Sequence, residues 1–220
     1  MDIYGFELII FDLDGVIVDT AKYHYLAWKE LADKLGFSLT LEHNERLKGI
    51  SRTRSLEIIL EIGGLADAFT PEQKEEMATA KNTRYMEYIH NLKEDELLPG
   101  TKEFLTELKS RGIKTAIGSA SKNALPILDK LDVIHFFDVI IDGNATDKAK
   151  PHPEVFLLAA EKLGIPPENC AVFEDAQAGI EAALAAGMTA IAVGSPENLK
   201  GASMYVAGLD HFQRVSWNMP

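Results

Sequence analysis

Apolar residues in this chain follow two rhythms. Short, nearly unbroken apolar runs occur at residues 8–13, residues 114–119, Val139–Ile141, Cys170–Glu174 and Thr189–Val193. Runs of this length, rich in branched residues and bounded by Gly, Asp and Ser, predict strands buried on both faces. Between the later runs the spacing changes to three and four. Thr101–Ser110 puts Phe104, Leu105 and Leu108 on one helical face, with Gly112 behind it as a stop. Glu154–Leu163 and residues 176–186 repeat the scheme, closed by Gly164 and Gly187. Strand alternating with helix predicts a parallel α/β sheet.

Residues 20–91 break that alternation. They hold no strand-like run; residues 23–35, 52–61 and 71–91 carry helical spacing. The first ends at Gly36 and the second at Gly63-Gly64, while Thr70 caps the third with Pro71 at its first position. The expectation is a helical cap, residues 20–91, inserted after the first strand of an α/β core made of residues 1–19 and 92–220. Hinges are expected at residues 16–20 and 92–99. In the third cap helix the charged residues Glu72, Lys74, Glu75, Glu76 and Lys81 are expected to face solvent. At the C-terminal end, Phe212, Val215 and Trp217 are expected to pack as a last short element.

Composition narrows the partners. The 220 residues are 46% hydrophobic, enough for a full core, and carry 34 acidic against 22 basic side chains, a formal charge of −12. Nucleic acids and anionic membrane surfaces both demand clustered Lys and Arg, which argues against either partner. The single cysteine, Cys170, falls in a buried run, so no disulfide forms within the chain, in keeping with a reducing compartment. There is no signal-like N-terminus, and no apolar run approaches the ~18 residues of a membrane span. The expectation is a cytoplasmic monomer.

Four acids carry the chemistry. Asp12 and Asp14 follow the first strand; Glu174 and Asp175 end the fourth. In an open parallel sheet, side chains just past the strand C-termini gather in one crevice. Four carboxylates there repel one another unless a cation holds them, and oxygen-only ligands suit Mg²⁺ with waters and substrate phosphate. A carboxylate such as Asp12 can attack phosphorus to give an acyl phosphate. Asp14, two residues on and pointing the same way along an extended chain, suits a general acid and base. Ser119 and the N–H groups after it offer a cradle for a phosphoryl group, and Lys150 offers a cation to the transferring group. Pro151 and Pro153 stiffen the lysine's loop, and Lys150-Pro151 is a candidate for a cis bond.

Together these segments resemble the haloacid dehalogenase superfamily of phosphotransferases. Its first motif is similar to Asp12-Leu13-Asp14-Gly15-Val16, its second to the strand end at Ser119 and its third to Lys150-Pro151. Its fourth is similar to Glu174-Asp175 followed by Ala176-Gln177-Ala178-Gly179-Ile180. The match runs in order along the whole chain, with helices where that superfamily's C1 type places a cap. The resemblance implies a Rossmann-like parallel-sheet core with an inserted all-helical cap. It also implies Asp12 as nucleophile and Mg²⁺ ligand, and Asp14 as general acid/base with its backbone carbonyl on the metal. Ser119 and Lys150 would hold the phosphoryl group, with Glu174 and Asp175 at the metal.

The substrate must be read from the cap. Three stretches resemble the sugar-phosphate mutases of the superfamily more than its generic phosphatases. They are Asp19-Thr20-Ala21-Lys22-Tyr23-His24 with Trp28 a turn on, Leu47-Lys48-Gly49-Ile50-Ser51-Arg52, and Ser119-Ala120-Ser121-Lys122-Asn123. A mutase moves phosphate between two ends of one sugar, so it needs a second phosphate site with its own positive charge. Arg52 supplies a bidentate fork, Gly49 lets backbone approach, and Ser51 and the helix-start N–H groups add donors. Ser121, Lys122 and Asn123, with Ala120, would complete that clamp from the core side. His24 and Lys48 would position Asp14 and the sugar beside Ile50. Thr20 would govern alignment at the hinge. Trp28, which alone reads more readily as core, is kept as a substrate contact. The resemblance implies conversion of β-D-glucose 1-phosphate to D-glucose 6-phosphate through a phospho-aspartyl enzyme. β-Glucose 1,6-bisphosphate would be intermediate and activator. The alternative is a Mg²⁺-dependent sugar-phosphate phosphatase.

Overall fold

The structure, a computed structural model, describes residues 2–47 and 50–212. Six parallel strands form one sheet in the order β3-β2-β1-β4-β5-β6. They are β1 Leu8–Phe11, β2 Lys114–Gly118, β3 Val139–Ile141, β4 Cys170–Glu174, β5 Thr189–Val193 and β6 Met204–Val206. The apolar runs predict the first five. The edge strand β6 is not predicted, because three residues, two half-buried and one buried, are too few to show a period.

Alternation along the strands divides the core in two. Ile9, Phe11, Ile117, Ala171, Phe173 and Ile191 face α5 (Thr101–Ser110) and α6 (Ala124–Lys130). Leu8, Ile10, Ala116, Cys170, Val172 and Ala190 face α7 (Glu154–Leu163) and α8 (Gln177–Ala185). Both faces are covered, as strands with continuous apolar sequence require. On the first face Phe11 stacks on Phe173 with ring centroids 5.2 Å apart, and Phe212 stacks on Phe104 at 4.8 Å. Phe212 thus packs as expected, whereas Val215 and Trp217 lie outside the described residues.

Between β1 and α5 the described residues form four α-helices: α1 (Ala21–Lys34), α2 (Leu41–Glu45), α3 (Arg52–Ile62) and α4 (Pro71–Ile89). Helices α1, α3 and α4 share a core around Trp28, Leu39, Leu56, Ile59 and Leu60, while Ala27, Tyr85 and Ile89 pack into the core on the first face of the sheet. The short α2 buries no residue, so it leaves no apolar stripe in the sequence. Helix α4 opens with a reciprocal Thr70–Gln73 capping box and Pro71 in its first turn. One expectation about this helix fails. Lys81 is 3% exposed, not on the solvent face, because Ala78, Lys81, Tyr85 and Ile89 fall on one buried stripe.

The chain's two passages between sheet and cap helices run side by side. Val18 pairs with Leu97, Asp19 N–H donates to Glu96 O at 2.9 Å, and Leu98 N–H donates to Ile17 O at 3.0 Å. The sheet reverses its order beside β1, with β2 and β3 to one side and β4 to β6 to the other. A crevice at the C-terminal ends of β1 and β4 is the consequence of that reversal.

Candidate active site

Strands β1 and β4 run in register with Phe11 beside Phe173, so the residues after them leave the sheet together. Asp12 N–H donates to Phe173 O at 2.9 Å. Carboxylate oxygens of Asp12, Glu174 and Asp175 all lie within 4.8 Å of one another. Asp12 and Glu174 are buried, and so is Lys150, whose Nζ donates to Asp12 Oδ1 at 2.6 Å and also to Glu174 Oε1. Burial alone would pull the lysine's pKa down; the charges of Asp12 and Glu174 outweigh it and keep Lys150 protonated. The Lys150-Pro151 bond is cis, as the sequence suggests.

Two glycines make room for this cluster. Gly15 has φ +82°, and a Cβ there would lie 2.1 Å from Asp175 Oδ2. Gly179, in the first turn of α8, would put a Cβ 1.9 Å from the Glu174 carboxyl carbon. Three hard oxygen donors converging on one point fit a small divalent cation such as Mg²⁺. Gly179→Ala is therefore expected to displace the Glu174 carboxylate and weaken Mg²⁺ binding roughly 10–100-fold. Calorimetric titration with Mg²⁺ measures this, with circular dichroism as the control for folding. Unchanged affinity would remove Glu174 from the metal site.

Asp14 stands apart from that cluster. Its Oδ2 lies 3.7 Å from His24 Nε2, and its Oδ1 is buried without a hydrogen-bond partner among the described residues. Burial first, and the charge of Asp12 next, push its carboxyl up to about 8. The two aspartates of one motif thus differ: Asp12 is paired with a lysine, and Asp14 holds its proton near neutral pH.

The cap helices meet Asp14 through His24. Lys81 Nζ lies 2.7 Å from His24 Nδ1, and the Tyr85 ring stacks on the imidazole with centroids 3.9 Å apart. Burial, then the charges of Lys81 and Arg52, hold His24 well below its ordinary pKa, so the ring is neutral. Donation from Lys81 to Nδ1 would leave the ring proton on Nε2, the nitrogen 3.7 Å from Asp14 Oδ2. The Lys81 ammonium also lies over Trp28 (4.5 Å to the ring centre) and Tyr85 (5.0 Å). Thr20 is fully buried at the start of α1, and its hydroxyl has no partner among the described residues.

A cavity of about 450 Å³ opens on Asp12, Asp14, His24, Lys81 and Lys150, a size usual for small-molecule sites. From the core it is lined by Asp12, Asp14, Asp175, Lys150 and the loop from Ser119 to Asn123. That loop is pinned from within: Ser119 Oγ accepts Ser121 N–H at 3.1 Å, and Ser121 Oγ accepts Asn123 N–H at 3.2 Å. From the cap side the lining includes His24, Trp28, Ile50, Ser51 and Arg52. Ser51 is also the N-cap of α3, accepting Arg54 N–H, and Arg52 begins that helix. Glu174 and Thr20 do not line the cavity, and Lys48 and Gly49 lie outside the described residues. Sequence reading misses Lys81, Tyr85 and the loop residues Thr146, Asp147 and Lys148. The buried stripe of α4 carries a signal for the first two; the loop carries none.

Residues 6–187 match the haloacid dehalogenase-like hydrolases, and the chain belongs to that family. Within it, the chain is 46% identical over 200 residues to the β-phosphoglucomutase of Bacillus subtilis strain 168, covering 91% of this chain and 88% of that one. It is 34% identical over 187 residues to a phosphorylated carbohydrates phosphatase of Thermotoga maritima, covering 84% and 83%. Its fold superposes on the crystal structure of β-phosphoglucomutase from Clostridium difficile with a TM-score of 0.91 and 45% identity, over 94% and 93% of the two chains. Among the described residues no helix is long and apolar enough to cross a membrane.

Proposed function

We propose that the protein interconverts β-D-glucose 1-phosphate and D-glucose 6-phosphate by phosphoryl transfer through Asp12. One observation carries the reading: a single cavity joins the Asp12–Lys150 cluster to Arg52 on the cap side. Hydrolysis needs only the first end; moving a phosphate between two ends of one sugar needs a cation at each. The 46% identity to a β-phosphoglucomutase supports the same choice.

In this mechanism an Asp12 oxygen bonds to phosphorus as the bond from phosphorus to the sugar oxygen breaks. Asp14 gives its proton to that leaving oxygen. In the reverse half, a sugar hydroxyl attacks the phospho-aspartate, Asp14 takes the hydroxyl proton, and Asp12 is released. Starting from phospho-Asp12, primed by β-glucose 1,6-bisphosphate, the second of these halves runs first. The 6-hydroxyl of β-glucose 1-phosphate takes the phosphoryl group to give the bisphosphate, which turns round. The first half then moves the 1-phosphoryl group to Asp12 and releases glucose 6-phosphate. Lys150 and Ser119 hold the transferring phosphoryl group. Arg52, Ser51, Lys122 and Asn123 hold the other phosphate, aided by Lys48 and Gly49. Neutral His24, fixed by Lys81, presents its Nε2 proton to Asp14 only while the cap is seated, and Thr20 sets the hinge. Mg²⁺ on Asp12, the Asp14 backbone carbonyl, Glu174 and Asp175 would offset charge at the phosphoryl group. Residues 20–91 serve as the cap over a core of residues 1–19 and 92–220. The protein works as a cytoplasmic monomer on a small phosphorylated sugar, with no nucleic-acid or membrane partner.

The test supplies β-glucose 1-phosphate, Mg²⁺ and a trace of β-glucose 1,6-bisphosphate, and follows glucose 6-phosphate and inorganic phosphate together. Glucose 6-phosphate should form far faster than phosphate, and only with Mg²⁺. Phosphate released in step with free glucose would reassign the chain as a phosphatase.

A further inference from the structure

Helix α4 sends two adjacent side chains toward the core. Lys81 reaches His24, and through it Asp14. Asn82, about 100° further round the helix, accepts a hydrogen bond from Asn123 Nδ2 at 2.8 Å through its Oδ1. Asn123 occupies the N-cap position of α6, yet its side chain makes no capping bond. Its carboxamide, mostly buried, is directed instead across the boundary to the cap helices. Asn123 lines the cavity whereas Asn82 does not. Asn82 is half-buried, and its side chain has no other hydrogen bond among the described residues.

Among the described residues, the loop that ends at Asn123 is otherwise hydrogen-bonded only to the core. Besides its internal serine bonds, Ser121 O accepts Gly143 N–H at 3.2 Å, and Lys122 O accepts from Asn144 Nδ2 at 3.0 Å. The Asn82–Asn123 bond is thus the hydrogen bond through which the described cap residues act on this loop.

We propose that Asn82 is a positioning residue. Its bond to Asn123 fixes the cavity loop from Ser119 to Asn123 only when the cap is seated. The loop and the acid/base pair are then assembled in one motion of α4. The inference rests on the phosphoryl-transfer reading above. A seated cap excludes water from phospho-Asp12, and turning the bisphosphate round requires the same contact to break. Asn82 therefore bears on how often the phosphoryl group reaches sugar rather than water.

The experiment is a double-mutant cycle in the full chain, with Asn82→Ala, Asn123→Ala and both together. Glucose 6-phosphate and inorganic phosphate are measured in the same reaction with Mg²⁺ and β-glucose 1,6-bisphosphate. Asn82→Ala should lower kcat/KM for glucose 6-phosphate about tenfold, the size expected for one hydrogen bond at a half-buried site. It should also raise phosphate released per turnover. In the Asn123→Ala background the same change should cost less than twofold. Asn82→Asp, which keeps the accepting oxygen, should recover most of the loss. Multiplying losses, a wild-type Asn82→Ala, or an unchanged ratio of the two products would overturn the proposal. A lowered melting temperature with that ratio unchanged would assign Asn82 to packing alone. If the wild-type chain only releases phosphate, the mutase reading fails, while the cycle still tests the coupling on that product.

Discussion

Asp12→Asn is expected to lower turnover of β-glucose 1-phosphate by at least about 10⁴-fold and to abolish phosphate release with it, since a carboxamide is too poor a nucleophile to form the covalent intermediate. The two losses go together because glucose 6-phosphate and inorganic phosphate would both derive from phospho-Asp12. Intact-mass analysis after mixing with β-glucose 1,6-bisphosphate gives a direct readout: wild type should gain one phosphoryl group and the variant none. The fold should persist, because Asp12 N–H still bonds Phe173 O and the Phe11–Phe173 stack beneath is untouched. Residual product formation within tenfold of wild type would place the nucleophile elsewhere.

Lys81→Met should separate activity from stability. Without the ammonium on Nδ1, His24 loses the donor that fixes its tautomer and the proton aimed at Asp14. A fall of about 10²-fold in kcat/KM is the expected scale for such a misplacement. The same change should stabilise the fold. Burial first, and the charge of Arg52 next, lower the Lys81 pKa from 10.5 to about 7, with Asp14 opposing. Below pH 7 folded and unfolded chains both bind the proton, so the cost of burying the charge is fully present. Between pH 7 and 10.5 only the unfolded chain keeps that proton, so wild-type stability from this group rises with pH. The advantage of methionine should be largest near pH 6.5, roughly 2 kcal/mol after the lost contacts to His24 and the rings, and should shrink by pH 9.5. Urea unfolding at the two pH values measures it. A variant less stable than wild type at both would show that Lys81 is a net stabilising part of the cap.

The core was legible because its signals are local. A strand buried on both faces must be apolar throughout, and an acid directly after it has one place to go in a parallel sheet. Hence Asp12, Glu174 and Asp175 could be placed together from their neighbours alone. The cap-side site was legible only in part. His24 and Arg52 stood out as polar side chains at helix positions matching a known pattern. Lys81 did not, because a lysine in a charged helix looks solvated unless its spacing to Ala78, Tyr85 and Ile89 is counted first. The Asn82–Asn123 bond lay further out of reach, joining residues 41 positions apart that no local period relates. β6 and α2 escaped for the opposite reason, being too short to carry a pattern.

The pairing of Val18 with Leu97 has an architectural consequence. Paired strands lie about 5 Å apart, so everything between these residues enters and leaves the core through one narrow doorway. The strands that carry the acidic cluster lie outside the insert and pair in register with one another, and α5 makes the crossover from β1 to β2. Such an insert can be exchanged for another of different length and shape while the reactive centre stays intact. On the proposed reading of the cap, the doorway makes substrate choice a replaceable part, in keeping with the presence of both a β-phosphoglucomutase and a carbohydrate phosphatase among the relatives of this chain.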